Sequence, residues 1–212
     1  MTGPSRTGLL AAFGGSVAVL AVLTAAVSGA TFLTGETAIV EALNDVPTAV
    51  GWPFRIVMQL GTLWVALVVV AGVALFARDR RPAPALAALL AVGVAYRLDN
   101  VIKAIVERPR PPGLVDDLNV REQIGGFGFP SGHTTMAFAL AASLYPIVPG
   151  RWRALLWALA AVVGLARMHV GVHWPADVVG GAALGIAIGT GAWLVAITLL
   201  RWPANRATPP RR

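Results

Sequence analysis

The chain contains no cysteine, which excludes disulfide crosslinks, thiolate nucleophiles and cysteine-ligated metal sites. Charge is almost as scarce: only 13% of the 212 residues are charged, while 57% are hydrophobic and the mean hydropathy is +0.72. Those values exclude an ordinary soluble domain and fit a surface solvated by lipid. Lysine occurs once, as Lys103, against sixteen arginines, a bias that, with abundant Ala and Gly, points to a GC-rich bacterial genome. The formal net charge is +7, but the basic residues are dispersed between apolar stretches. With no aromatic-studded basic face, nucleic acid is not an expected partner, and anionic membrane lipid is. No internal repeat is visible.

What is present is a series of long apolar runs. Gly8 to Thr34, Ile56 to Ala77, Pro82 to about Val106, Ser131 to Pro149-Gly150, Arg151 to about Met168 and Ala176 to Leu200 predict an all-α polytopic membrane bundle of about six transmembrane helices, each needing ~20 residues to cross ~30 Å of hydrocarbon. The uncharged core of the fifth run, Ala154 to Ala166, is too short alone and must include its polar ends. The first run is longer than the apolar core of a signal peptide, so a retained anchor is expected although Ser28-Gly29-Ala30 resembles a cleavage site. Residues 1–200 are predicted to form one domain, followed by a disordered, basic Pro/Arg-rich tail over 201–212.

The arginines predict an orientation. Arg6, Arg78, Arg80, Arg81, Arg151, Arg153, Arg201, Arg206, Arg211 and Arg212 fall on one side of a six-span arrangement, and they are ten of the seventeen basic residues. By the positive-inside rule that side is cytoplasmic. Both termini are then inside, and the polar segments 35–55, 107–130 and 167–175 are outside.

Three polar clusters share that outer face by parity: Lys103 with Arg108 and Arg110; Pro130-Ser131-Gly132-His133; and Arg167, His169, His173 and Asp177. Ionisable groups at the edge of hydrocarbon are costly, so a convergent set of them marks a functional site. Arg55, Arg97 and Arg121 are read as snorkelling or topology-fixing residues. Ser131 suits a helix N-cap, and a helix N-terminus is equally an anion site where His133 is placed to donate a proton. His173 precedes a helix opened by Pro175, with Asp177 four residues on. That carboxylate is positioned to reach back to the imidazole, fix its tautomer and leave the other nitrogen free to attack, although a plain polar helix cap would use the same residues.

Lys103-x6-Arg110-Pro111, Pro130-Ser131-Gly132-His133 and Arg167-x5-His173-x3-Asp177 resemble the three signature motifs of the type 2 phosphatidic acid phosphatase (PAP2) superfamily, in the family's order. The resemblance implies a membrane lipid phosphatase that acts on a lipid phosphate or diphosphate without metal or other cofactor. It implies that Lys103, Arg110 and Arg167 bind phosphoryl oxygens with Ser131 and the Gly132 amide, that His173 attacks phosphorus, that His133 protonates the leaving oxygen, and that Asp177 orients His173. Electrostatics agrees: a phosphate dianion needs several cations, and each close pair contributes ~4 kcal/mol at an effective dielectric of 20.

One departure from the family pattern is Ala166, where the third motif usually has serine, so one hydroxyl donor is missing and weakened activity is expected, with His169 or a water as a possible substitute. Arg108 lies outside the pattern; it is read as a contact to the distal phosphate of a diphosphate, or as a partner of Glu107 or of lipid headgroups. Two alternatives stay open at this level: a lipid phosphotransferase on the same fold, and a non-enzymatic anion transporter.

Overall fold

The computed structural model describes residues 5–29, 32–77, 82–123 and 125–200. Among them are the helices α1 (Arg6–Val27), α2 (Glu36–Asn44), α3 (Thr48–Met58), a 3-10 turn (Gln59–Gly61), α4 (Leu63–Ala77), α5 (Pro82–Val106), α6 (Gly132–Leu144), α7 (Gly150–His169) and α8 (Pro175–Leu199). The described residues form no sheet; one isolated bridge pairs Pro112 with Val115. The protein is therefore the all-α membrane bundle that its apolar runs predict.

Local chemistry sets several of the ends. Ser5 caps α1 by accepting from the Gly8 amide at 3.1 Å, and Pro175 opens α8 at a position where its missing N–H costs nothing. Three helices, α1, α5 and α8, are long and apolar enough to cross a membrane. The run expected as the second span is broken: the helical stretches Gly51–Gly61 and Leu63–Leu75 meet at 61° and count as one span only if the bend is included. The break has a physical cause. A Cβ at Gly61 would stand 2.6 Å from the His133 carbonyl, so the chain turns where it passes closely over the start of α6.

The fourth and fifth apolar runs form helices α6 and α7, but neither is among the helices long and apolar enough to cross a membrane. The 13 residues of α6 cover only ~20 Å at 1.5 Å per residue, and α7 carries Arg151, Arg153 and Arg167 within its 20 residues. The segment 35–55, read from sequence only as polar, holds α2 and all but the last three residues of α3. The tail 201–212, together with Arg78, Arg80 and Arg81, lies outside the described residues.

The centre of the bundle is the α6–α8 pair. Gly181, Gly185 and Gly189 lie four residues apart, on one face of α8. A Cβ on each would come within 2.7 Å of the Ser131 carbonyl, 2.5 Å of the Thr135 carbonyl and 2.5 Å of the Ala142 Cβ. Small residues at this spacing let two membrane helices pack backbone to backbone. Trp193 closes the far end, its indole N–H donating to the Ser143 carbonyl at 2.6 Å. Ala83, Ala87, Ala91 and Ala95 turn a similar small-residue face of α5 into the same core. The result fixes the first turns of α6 and α8 beside the end of α5.

Candidate active site

His173 sits in the short connection between α7 and α8 and is 1% exposed. Its Nδ1 lies 3.2 Å from Asp177 Oδ2, and that oxygen also accepts the Trp174 amide at 3.0 Å. One carboxylate thus closes the first turn of α8 and holds the imidazole. On the other side of the ring, Nε2 lies 2.9 Å from Arg110 Nη1. A guanidinium has no acceptor, so Nε2 presents its lone pair and the proton is on Nδ1, facing Asp177. The His173 pKa is held well below 6.5, first by burial and then by the positive charges of Arg110, Arg167 and Lys103.

A cavity of about 500 Å³ lies against this ring, and its lining includes Lys103, Arg110, Gly132, His133 and His173. Most of its remaining wall comes from α4, the turn before it and α5, including Thr62, Trp64, Ala95 and Tyr96, with Trp64 largely and Tyr96 about half exposed. Burial and the neighbouring Arg167 charge lower the pKa of Arg110 from its ordinary value. Arg110 is further held by the Gly126 carbonyl at 3.0 Å and the Val172 carbonyl at 2.9 Å. At Gly132 a Cβ would lie 2.5 Å from Asp99 Oδ2 and 3.1 Å from Lys103 Nζ and would push that ion pair aside. The first turn of α6 therefore touches the lysine.

Ser131 and Arg167 stand behind this lining. Ser131 occupies the N-cap position of α6 but makes no side-chain cap; its Oγ accepts instead from Thr134 Oγ1 at 3.0 Å. The first-turn amides of α6 are thereby left uncapped by a side chain. Arg167 is 0% exposed. Its Nη1 donates to Glu122 Oε2 at 2.6 Å and contacts Met58 Sδ at 3.0 Å, while Nε and Nη2 are buried without a hydrogen-bond partner. Buried guanidinium donors left open cost stability. Among the described residues no three His, Asp or Glu side chains converge in a way that would hold a metal ion; the groups that do converge are cations and imidazoles.

Several residues differ from their sequence reading. The acidic partners of Arg108 are Asp177 and Glu36, not Glu107. Arg108 is 1% exposed, its Nη1 donates to Asp177 Oδ1 at 2.8 Å and its Nη2 to Glu36 Oε2. Arg121 is not a snorkelling residue but a tie between the ends of α7 and α2, with Nη1 on the His169 carbonyl at 2.8 Å and Nη2 on the Asn44 carbonyl at 2.7 Å. His169 cannot substitute for the missing motif hydroxyl, because its Nδ1 lies on the Leu43 carbonyl at 2.9 Å and its ring packs on Phe54 at 5.1 Å. Ala166 itself is buried against Met58, Val170 and Val172. Sequence reading missed Glu36, Glu122 and the Asp99 partner of Lys103, at 2.6 Å. Only Asp99 carried a local signal, four residues before the lysine on one helix.

Comparison with known proteins agrees with this geometry. The model of the PAP2 superfamily matches residues 84–201, more than half of the chain and all three motifs. A lipid A 4'-phosphatase of Bacteroides thetaiotaomicron is 41% identical over 106 residues, covering 45% of this chain and 44% of that protein. Phosphatidylglycerophosphatase B of Bacillus subtilis is 30% identical over 136 residues, 58% of this chain and 62% of that one. An undecaprenyl-diphosphatase of Sulfolobus acidocaldarius is 31% identical over 129 residues, 60% and 61% respectively. The chain thus spans about half to three fifths of the length of these curated relatives.

Among solved structures, LpxE of Aquifex aeolicus superposes with a TM-score of 0.70 at 25% identity, over 80% of this chain and 98% of that one. The PAP2-type phosphatidylglycerolphosphate phosphatase of Bacillus subtilis shares the fold with a TM-score of 0.72 at 22% identity, over 92% and 98%. With its three motifs gathered around one cavity and the family model covering them all, the chain belongs to the PAP2 superfamily.

Proposed function

We propose that this protein is a membrane phosphatase that hydrolyses a lipid phosphate or diphosphate through a phosphohistidine on His173. The observation that carries the reading is the pair of contacts on one ring: Asp177 on Nδ1 and the Arg110 donor on Nε2. Together they hold a neutral imidazole with its lone pair aimed among cations, the form a nucleophilic histidine needs.

In the proposed first step Arg110 transfers its donor from Nε2 to a phosphoryl oxygen. Lys103, Arg167, the uncapped α6 amides and Ser131 hold the other oxygens. An Nε2–P bond forms as the bond from phosphorus to the leaving oxygen breaks, and His133 gives that oxygen its proton. Asp177 balances the charge that develops on the His173 ring. In the second step water attacks phosphorus as His133 takes its proton, the N–P bond breaks, and inorganic phosphate leaves. Preorganised cations act where charge is transferred and exclude bulk water.

The lipid character of the substrate is supported by the α4–α5 wall of the cavity, where exposed Trp64 and Tyr96 suit a membrane interface. The names of the relatives point the same way, since each acts on a phosphate attached to a lipid. We place the protein in a bacterial plasma membrane with termini cytoplasmic and the cavity facing outside, on the arginine distribution of the sequence. That placement favours a diphosphate such as undecaprenyl diphosphate over phosphatidic acid.

The test is phosphate release by the detergent-purified protein from undecaprenyl diphosphate and from phosphatidic acid, with chelator present and His173→Ala alongside. Chelator-resistant release lost in the variant supports the mechanism. Release that depends on an added acceptor alcohol identifies a phosphotransferase instead.

A further inference from the structure

We infer that Glu36 and Arg108 form, with Asp177, a buried positioning chain that holds the His173 imidazole in its attacking orientation, making α2 part of the catalytic apparatus. The inference rests on the phosphatase reading above for its kinetic consequences, but not for its geometry. None of the three motifs includes Glu36 or Arg108.

Asp177 is 0% exposed and divides its two oxygens between two tasks. Oδ2 serves the His173 ring and the Trp174 amide, and Oδ1 receives Arg108 Nη1 at 2.8 Å. Arg108 is in turn held by Glu36 through Nη2, and its guanidinium lies 5.8 Å over the Trp174 ring. Trp174 donates its indole N–H to the Pro109 carbonyl at 3.0 Å. Glu36 is only 4% exposed, and its own lone pairs are filled: Oε1 accepts the Ala176 amide at 2.7 Å and Oε2 the Leu33 amide at 2.6 Å. Ala176 is in the first turn of α8, so Glu36 also satisfies a helix amide that no residue of its own helix reaches.

Alternation of sign explains why all three charges are tolerated. A carboxylate fully removed from water stays ionised only beside a cation, and a buried cation with one partner carries an unbalanced charge. Glu36, Arg108 and Asp177 alternate negative, positive, negative, and the last of them accepts the hydrogen bond from His173 Nδ1–H. If Arg108 is removed, Asp177 keeps only neutral donors and takes up a proton at higher pH. A neutral Asp177 is a weaker acceptor for Nδ1–H and no longer balances charge on the ring, so the constraint that exposes the Nε2 lone pair weakens.

Neither Glu36 nor Arg108 lines the cavity, and Arg108 Nη1 and Nη2 donate to Asp177 and Glu36. The charged and titratable groups facing His173 and Asp177 are Glu36 and Arg108 on the closed side, and Arg110, Arg167, Lys103 and His133 on the cavity side. A positioning chain on the closed side acts on turnover and on its pH dependence, not on substrate affinity.

The experiment compares Arg108→Met, Arg108→Lys and Glu36→Gln with the wild type in two assays. In the first, kcat and KM for phosphate release are measured against pH. Arg108→Met is expected to lower kcat about 100-fold with KM changed less than about threefold, and to move the acid limb to higher pH. Glu36→Gln is expected to lower kcat about tenfold, and Arg108→Lys to retain the acid limb of the wild type. The second assay needs no substrate: the pH dependence of His173 carbethoxylation by diethyl pyrocarbonate, read by mass spectrometry, should show the same shift.

A rise in KM matching the loss of kcat would place Arg108 on the phosphate and overturn the inference, as would an unchanged acid limb in both assays. If Arg108→Met exposes His133 and His169 to equally fast modification, it has unfolded, and Arg108→Lys and Glu36→Gln decide by the same criteria. Should the wild type release no phosphate from any lipid, the phosphatase reading fails, while the modification assay still tests the chain.

Discussion

His169 and His173 are four residues apart, both are 1% exposed, and both lie where α7 gives way to α8. Their surroundings have little else in common. His173 has a carboxylate on one nitrogen and an arginine donor on the other, with a cavity beside it. His169 has the Leu43 carbonyl on Nδ1 and Phe54 against its ring. Its Nε2 side is so closely packed that a Cβ at Gly51 would stand 2.3 Å away. The first ring faces a cavity between charged partners, the arrangement that the proposed nucleophile needs, and the second packs between α3 and α7. Burial alone does not mark a functional histidine; the charge and reach of its partners do.

The sharpest way to break this comparison is to remove each ring. His173→Ala should lower phosphate release by about three orders of magnitude or more, since no other group offers phosphorus a lone pair at that point. A residual rate within tenfold of wild type would show that the nucleophile lies elsewhere. Removing the cation behind the ring comes next. Arg167→Met should cost about 100-fold in kcat/KM, yet leave the melting temperature unchanged or raised. Its Nε and Nη2 are unpartnered, and Glu122, with a side chain 30% exposed, can be solvated by water once the arginine is gone. A large fall in melting temperature would show that the guanidinium is structural.

The electrostatic half of the comparison is open to titration. Burial and the Arg110, Arg167 and Lys103 charges hold the His173 pKa well below 6.5, so the neutral nucleophile persists as pH falls through 6.5. The acid limb of kcat/KM should therefore lie well below that of an ordinary imidazole. The same depression makes the unfolded state the stronger proton binder just below pH 6.5, so His173 contributes a loss of stability as pH falls there. Arg110→Ala removes one of the lowering charges and should move the acid limb upward. An acid limb near 6.5 in the wild type, unmoved by that substitution, would contradict the geometry.

Smaller effects are expected at the second ring. His169→Phe keeps a ring against Phe54 but loses the bond to the Leu43 carbonyl, which should cost about 1 kcal/mol of stability and change turnover by less than about threefold. A loss of activity comparable to that of His173→Ala would make His169 a second functional histidine. The smallest effect is expected for Ala166→Ser. That position is packed against Met58, Val170 and Val172, so a hydroxyl there should alter turnover by less than about threefold. A gain of tenfold or more would show that it reaches the phosphate.

How much of this was readable in advance depends on the range of each interaction. The apolar runs announced the bundle because a lipid-facing helix is a local pattern, and the bounds of α5 and α8 match their runs within a residue. The pairing of His173 with Asp177 was legible because it is one helical turn long. The bend before α4 was not, since it arises where Gly61 passes over His133, a contact between distant parts of the chain. Glu36 and Glu122 were invisible for the same reason: each is an ordinary acid in a polar segment until folding carries it to an arginine 72 or 45 residues away.

The amino-acid sequence by itself determined the solvent, the helical class and the family motifs, because hydropathy, helix length and motif spacing are local properties. Tertiary structure alone decided which cations were left with open donors, which histidine received a carboxylate, and which acid, Glu36, became the far end of that chain. Those outcomes depend on close approach of helices distant in sequence, made possible at Gly132, Gly181, Gly185 and Gly189, and electrostatic pairing in a water-poor interior follows distance in space, not distance along the chain.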